Sequence, residues 1–193
     1  MSEIILITGG CRSGKSAFAV KLARALTLPT AFIATCVPGS DEEMWARVAA
    51  HRANRPPDWR LVEEGYDLES TLATVLEPVL LLDCVPTLIG NLLLSGDADA
   101  VIASAVAKLG QSLCRCAARF ALVVTAEVGD GLVPDSALGR RFRDLVGAAN
   151  QFLAAEASSV YDLVDGLAIE CKSRAETPVS IAARLNSLIG THP

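Results

Sequence analysis

The sequence lacks a long hydrophobic run, a recognisable signal peptide and an excess of positive charge, which are typical of membrane, secreted and nucleic-acid-binding proteins, respectively. Its 193 residues are 51% hydrophobic, but the apolar runs are short and none approaches the roughly 20 residues of a membrane span. No signal peptide is predicted, because the acidic Glu3 leads at once into a strand-like run. The net charge of −5 argues against non-specific binding to nucleic acid or anionic membranes and favours small ligands.

Cysteine and histidine are too sparsely arranged for a zinc site. The six cysteines include no C-x-x-C pair, and Cys114 and Cys116 form only a C-x-C in a chain with two histidines. Several cysteines lie in or beside predicted strands, where a free thiol behaves as a small apolar residue. We therefore expect a reducing compartment, the cytoplasm.

Residues 9–16 match the phosphate-binding pattern G-x-x-x-x-G-K-[ST] without a mismatch. This phosphate loop supplies the nucleotide-binding candidates Gly9, Gly10, Cys11, Arg12, Ser13, Gly14, Lys15 and Ser16. Its glycines let backbone N–H groups turn inward around phosphate oxygens. Lys15 is expected to reach the β- and γ-phosphates, and the Ser16 hydroxyl to bind Mg²⁺. Residues 4–7 predict a buried strand before the loop, and residues 16–26 predict a helix after it.

The rest of the chain predicts an α/β fold with a mostly parallel sheet and helices on both faces. Further strands are predicted at residues 31–35, 59–63, 79–83, 120–125 and 166–171. Further helices are predicted at residues 41–54, 68–76, 86–94, 98–117, about 136–157 and 177–190. Linkers, repeats and low-complexity segments are absent from the sequence, so we expect one nucleotide-binding domain over residues 1–193.

Apolar residues recur at helical spacing in two of these helices, which predicts that they face the core. In the helix at residues 136–157, which Asp135 or Ser136 is expected to cap, they are Leu138, Phe142, Leu145, Ala149 and Phe152. In the last helix they are Ile181, Leu185 and Leu188. Arg140, Arg141 and Arg143 lie mostly off the first stripe, which favours a solvated face over phosphate binding.

Two carboxylates follow predicted strands. Four apolar residues end in Asp83, as a Walker B strand requires in order to carry an acid to Mg²⁺. Glu127 comes just past the strand at residues 120–125, in a glycine-rich turn, where ligands of open α/β sheets bind. For Glu127 alone, a solvated loop acid is an equally good interpretation. In a site, it would orient metal-bound water or accept a substrate proton.

The combined motifs resemble one family over residues 4–172. They are T-G-G-x-R-S-G-K-S at residues 8–16, Ile33-Ala34-Thr35, His51-Arg52-x-x-Arg55-Pro56 with Trp59, Leu81-Leu82-Asp83-Cys84 with Asn91-Leu92-Leu93, Glu127-Val128-Gly129-x-Gly131-x-Val133-Pro134 and Asn150-Gln151. This set is similar to the bifunctional adenosylcobinamide kinases / adenosylcobinamide-phosphate guanylyltransferases of cobalamin biosynthesis. The resemblance implies a RecA-like phosphate-loop fold, ATP and GTP as substrates, and a homotrimer.

The resemblance also implies two reactions. ATP or GTP first phosphorylates the hydroxyl of adenosylcobinamide, and GTP then gives GMP to a histidine, from which adenosylcobinamide phosphate takes it. By position that histidine is His51, and a neutral imidazole is a competent nucleophile near neutral pH. Arg52 and Arg55 are expected to offset charge on the α-phosphate. Glu63 joins them as a nucleotide-binding candidate, and Lys15 and Glu127 join His51 as catalytic candidates.

The chain departs from the family pattern at two positions. Ala126 stands where the family often has Asn, and Cys11 where Ala is common. We hypothesise that oxidation of Cys11 blocks nucleotide binding. Two other functions stay open: a plain small-molecule kinase, which would not need His51, and a non-enzymatic nucleotide-gated module. The preferred phosphoryl donor and the role of the last helix also stay open.

Overall fold

The structure, a computed structural model, describes residues 1–36 and 56–189. The helix predicted at residues 41–54 lies outside the described residues. So do three of the site candidates, His51, Arg52 and Arg55.

The described residues alternate strands with helices. The strands are β1 Glu3–Gly9, β2 Thr30–Ala34, β3 Arg60–Glu63, β4 Val79–Asp83, β5 Phe120–Val124, β6 Ser159–Val164 and β7 Leu167–Glu170. The helices are α1 Lys15–Ala25, α2 Leu68–Ala73, α3 Val85–Leu94, α4 Asp99–Arg115, α5 Ala137–Glu156 and α6 Pro178–Ile189, with a 3₁₀ turn at Lys172–Arg174. Within the described residues, none of the helices has both the length and the apolar character needed to cross a bilayer.

All seven strands form one sheet in the order β3-β2-β4-β5-β1-β6-β7. Each neighbouring pair is parallel except β6 and β7, which are antiparallel. The carboxyl ends of β1 to β6 therefore share one edge of the sheet, where β1 runs into the phosphate loop. This arrangement confirms the predicted mostly parallel fold.

The central strands are apolar on both faces because both faces of the sheet are covered. Leu80 and Leu82 of β4 pack into a core shared with α2, α3, α4 and α5. Leu81, between them in sequence, packs on the opposite face with Ala19 and Ala23 of α1. Side chains alternate along a strand, so a continuous apolar run is what burial on both sides requires.

The buried stripe of α5 differs from the predicted one. Val146, Ala149 and Leu153 are buried, whereas Leu138 is 44% exposed and Phe152 36% exposed. The prediction that Leu138 and Phe152 are core residues is therefore wrong. The Phe152 ring lies over Gly110 of α4, where an added Cβ would come within 2.7 Å of it, so it packs between helices rather than onto the sheet.

Two of the three α6 residues that were predicted to face inward are less buried than expected, and the side chain of the third, Leu188, lies outside the described part of the chain. Leu185 is 49% exposed, so the prediction that it faces inward is wrong, and Ile181 is only partly buried. Helical spacing identifies the apolar face of a helix, but it does not show that another element covers that face.

Strand β6 is not among the strands predicted from the sequence, the last of which is at residues 166–171. In the structure β6 pairs in parallel with β1, and the chain returns as β7 through a turn made of Asp165 and Gly166. Both turn residues have positive φ, 50° and 84°. Asp-Gly is favoured in such two-residue hairpin turns, so the dipeptide was an available signal for the missed strand.

Candidate nucleotide site

The phosphate loop has backbone conformations that favour glycine. Gly9 and Gly14 have φ of 141° and 91°. A Cβ at Gly9 would lie 2.6 Å from the carbonyl oxygen of Leu163 and 2.7 Å from Oγ of Ser13, so a larger residue does not fit without a shift. Arg12 has φ of 60°, which is uncommon for a residue with a Cβ, and its side chain is exposed.

Four of the predicted site residues form two hydrogen bonds where α1 begins. Nζ of Lys15 donates a hydrogen bond to the Gly10 carbonyl, 2.9 Å away. Oγ of Ser16 donates to Oδ1 of Asp83 at 3.1 Å, which joins the phosphate loop to the end of β4. Hydroxyl and carboxylate oxygens are hard ligands of the kind that Mg²⁺ prefers. The chemistry of Ser16 and Asp83 therefore fits this ion.

Thr35, just past β2, holds the end of β4 in place. This buried residue donates from its backbone N–H to the Asp83 carbonyl at 3.2 Å. Its hydroxyl donates to the Cys84 carbonyl at 2.7 Å and accepts from the Cys84 N–H at 2.8 Å. Asn91 of α3 donates to the carbonyls of Thr35 and Gly65 at 2.9 and 3.0 Å. Thr35 and Asn91 thus fix the backbone that carries Asp83.

The two cysteines nearest the site differ in environment. Burial and, to a lesser extent, the neighbouring Asp83 charge raise the pKa of the Cys84 thiol to about 11. Cys84 therefore stays protonated at neutral pH and is a poor nucleophile. Cys11 is exposed in the phosphate loop, so solvent oxidants have access to it. That exposure is what the hypothesis of oxidative blocking requires, and the hypothesis stays untested.

Glu127 lies at the same sheet edge, after the end of β5. Its backbone N–H donates to the Gly9 carbonyl at 3.0 Å, which places it beside the start of the phosphate loop. Its side chain is exposed, and Oε1 accepts from the Gly129 N–H at 2.7 Å. The geometry brings Glu127 next to the loop but leaves its carboxylate turned toward its own turn.

Asn150 of α5 holds the backbone that leads to Glu127. Its Oδ1 accepts from the hydroxyl of buried Thr125 at 2.5 Å, and its Nδ2 donates to the Ala126 carbonyl at 2.9 Å. Asn150 therefore contacts position 126 through the backbone carbonyl, and this contact does not depend on the side chain of Ala126. Asn150 and Thr35 explain two of the sequence motifs as residues that position the site.

Glu63 and the arginines of α5 are exposed or partly exposed side chains outside the phosphate loop. Glu63 is exposed at the carboxyl end of β3, at the same edge of the sheet. Arg140 donates to the carbonyls of Pro134 and Asp135, and Arg141 pairs with Asp99 at 2.6 Å. The Arg140 contacts lie at the start of α5, and Arg141 reaches Asp99 at the start of α4; both pairs are exposed, as expected for a surface face.

The hairpin turn at Asp165 and Gly166, which the sequence analysis missed, also contacts the phosphate loop. The Gly166 N–H donates to the Ser13 carbonyl at 3.0 Å. The functional edge thus has the carboxylates of β4 and β5 on one side of β1 and the hairpin of β6 and β7 on the other.

Comparison with known proteins gives close relatives over most of the chain. A family model described as cobinamide kinase / cobinamide phosphate guanyltransferase, CobU, matches residues 5–171. The bifunctional adenosylcobalamin biosynthesis protein CobU of Escherichia coli (strain K12) is 39% identical, covering 88% of this chain and 99% of that protein. Its Salmonella typhimurium counterpart is 38% identical with the same coverage. CobP of Pseudomonas aeruginosa is 40% identical, covering 86% of this chain and 96% of that protein.

A solved structure supports the fold independently. It belongs to a prototypical ATPase from the type III secretion system of pathogenic bacteria and aligns with a TM-score of 0.52 at 14% identity. The alignment covers 99% of this chain and 64% of the ATPase chain. A likeness at this identity shows the fold alone, and it confirms the RecA-like phosphate-loop fold.

Proposed function

This chain belongs to the cobinamide kinase / cobinamide phosphate guanyltransferase family, and we propose that it performs both reactions at the sheet edge that carries the phosphate loop. The observation that carries the proposal is the hydrogen bond between Ser16 and Asp83, within the matched residues 5–171. This bond joins the phosphate-loop hydroxyl and the carboxylate at the end of β4, the two kinds of group that phosphate-loop transferases use near the nucleotide phosphates.

In the kinase reaction, the hydroxyl oxygen of adenosylcobinamide attacks the γ-phosphorus of ATP or GTP. The bond to the β–γ bridging oxygen breaks, and the nucleoside diphosphate leaves. The loop amides and Lys15 bind and orient the phosphates, and Glu127 accepts the hydroxyl proton. Ser16 and Asp83 would hold Mg²⁺, which supplies neutralisation of phosphate charge when it is bound.

In the guanylyl transfer, a ring nitrogen of neutral His51 attacks the α-phosphorus of GTP. The bond to the α–β bridging oxygen breaks, pyrophosphate leaves, and GMP stays on the ring. A phosphate oxygen of adenosylcobinamide phosphate then attacks the same phosphorus, and the imidazole leaves, which gives adenosylcobinamide-GDP. Arg52 and Arg55 offset the charge on the α-phosphate. These roles rest on the sequence motif, since all three residues lie outside the described range.

The proposal also covers the pathway, the oligomeric state and the cellular compartment. The names of the relatives assign those proteins to adenosylcobalamin biosynthesis, which supports the same pathway for this chain. The motif resemblance supports a homotrimer. The cysteine pattern and a biosynthetic role support the cytoplasm.

The test is to incubate the protein with Mg²⁺ and GTP labelled at the α-phosphate, denature it, and measure label on the chain. We expect acid-labile label on the wild type, because phosphoramidates hydrolyse in acid. Label should be absent with γ-labelled GTP and lost in His51→Ala. His192→Ala, which removes the only other histidine, is the matched control and should keep the label.

The alternatives give different results. Binding of GTP without α-label would contradict guanylyl transfer and favour a plain kinase. A nucleotide-gated module would be favoured if nucleotide binds, no label appears on the chain, and no phosphorylated product forms when adenosylcobinamide is added.

A further inference from the structure

The turn between β6 and β7 contacts the phosphate loop through main-chain atoms. Gly166, in the turn that follows β6, donates its N–H to the Ser13 carbonyl at 3.0 Å. An added Cβ at Gly14 would lie 3.6 Å from Cα of Gly166, in ordinary van der Waals contact with it, so the two glycines are close neighbours. The hairpin turn therefore lies directly against the phosphate loop.

The direction of the Ser13 carbonyl decides where the next amide points. In a trans peptide the C=O and the N–H lie in one plane and point in opposite directions. When Gly166 holds the Ser13 oxygen on the hairpin side, the N–H of Gly14 is directed away from the hairpin. In a phosphate loop, amides so directed are the groups that bind phosphate oxygens.

We propose that Gly166 is a positioning residue for nucleotide binding, because its N–H orients the Ser13–Gly14 peptide of the phosphate loop. Its positive φ of 84°, with the φ of 50° at Asp165, is part of the turn conformation that presents this N–H to the loop. Glu127 acts in the same way on the other side of β1, where its N–H holds the Gly9 carbonyl at 3.0 Å. Two loop peptides are thus oriented from opposite sides.

The inference rests on the proposed assignment of the phosphate loop as the nucleotide site. It goes beyond that assignment because Gly166 does not belong to the phosphate-binding motif. It also predicts reciprocal coupling: if the turn favours phosphate binding, bound phosphate must stabilise the turn to the same extent.

The chain offers a matched control for the experiment. Gly96, after α3, has φ of 88° and, like Gly166, an open space around an added Cβ. Alanine at either position therefore meets the same backbone strain without a steric clash. Only Gly166 contacts the phosphate loop. Gly166→Asn is the conservative variant, since Asn adopts left-handed conformations more readily than Ala.

The measurement is the Kd for ADP and for GDP with Mg²⁺, by calorimetry, alongside the Tm of each protein without ligand. We expect Gly166→Ala and Gly96→Ala to lower the Tm similarly. Only Gly166→Ala should raise the Kd, by about three- to tenfold, the effect of one net hydrogen bond. Gly166→Asn should recover part of the loss. Hydrogen exchange of the hairpin amides in the wild type should slow when ADP is bound.

The outcomes separate this inference from the proposed function. A wild type that binds neither nucleotide would overturn the proposed site and the inference with it. A wild type that binds, together with equal Kd values for Gly166→Ala and Gly96→Ala, would overturn the inference alone. If the Gly166→Ala variant does not fold, hydrogen exchange in the wild type tests the inference instead. Exchange of the hairpin amides that is unchanged when ADP binds would overturn the inference.

Discussion

The phosphate loop is supported differently on its two sides. On the side of β4 and β5 the loop lies beside two carboxylates: the Asp83 side chain accepts from Ser16, and Glu127 contacts Gly9 through its backbone N–H. On the side of β6 and β7 the contacts are made by backbone atoms, the Leu163 carbonyl beneath Gly9 and the Gly166 amide on the loop. The side of β4 and β5 therefore supplies the reactive carboxylates, and the side of β6 and β7 fixes the backbone conformation of the phosphate loop.

This difference predicts different consequences of mutation. Removing a carboxylate on the first side should abolish chemistry while leaving the fold intact. A change on the second side should alter loop geometry and stability first, and chemistry through them. The following variants test that division.

The largest effect is expected for Asp83→Asn. The amide keeps the size and an acceptor for Ser16 but loses the charge that Mg²⁺ needs, so the kinase rate should fall by about a hundredfold or more. The Tm should change little. Steady-state phosphorylation of adenosylcobinamide at several Mg²⁺ concentrations measures the effect. Asp144→Asn is the control, because the Asp144 side chain is 69% exposed on α5. A kinase rate for Asp83→Asn equal to that of the control would show that Asp83 does not take part in the reaction.

The next effect is expected for Gly9→Ala, on the backbone side. Its Cβ would lie within 2.6 Å of the Leu163 carbonyl at a φ of 141°, so we expect a loss of about 2–4 kcal/mol in unfolding free energy. Gly10→Ala meets nothing within 4 Å and should cost far less. Urea unfolding without ligand compares the two. Equal losses would show that Leu163 does not limit the space at Gly9.

The two sides also differ in how far the sequence predicts them. Lys15, Ser16 and Asp83 could be found from residue type and spacing, because their side chains carry the chemistry. The contacts of Leu163 and Gly166 could not, because every residue has a carbonyl and almost every residue an amide. Their only trace in the sequence is glycine where the backbone approaches closely or has positive φ.

The strands also differ in how well the sequence predicts them. The strand around Leu81 was predicted because a strand buried on both faces is continuously apolar. Strand β6 was missed because Leu163 is its only fully buried residue, and polar residues such as Asp162 interrupt the run. The roles of His51 and the two arginines beside it stay predictions, since their motif lies outside the described residues.

The smallest effect is expected for Glu170→Gln, at the far end of the hairpin, where a side chain holds backbone amides. The Glu170 carboxylate accepts from the Ser173 side chain and N–H and from the N–H groups of Val160 and Lys172, which hold its pKa at about 2. Because this pKa is lowered from 4.5, the charged form contributes stability above pH 4.5 that is lost as the pH falls toward 2. The difference in Tm between wild type and Glu170→Gln should therefore narrow from pH 6 to pH 3. Ser173→Ala, which removes one donor, should weaken the same pH dependence. A difference in Tm that stays constant over this range would show that the charge of Glu170 does not stabilise the hairpin.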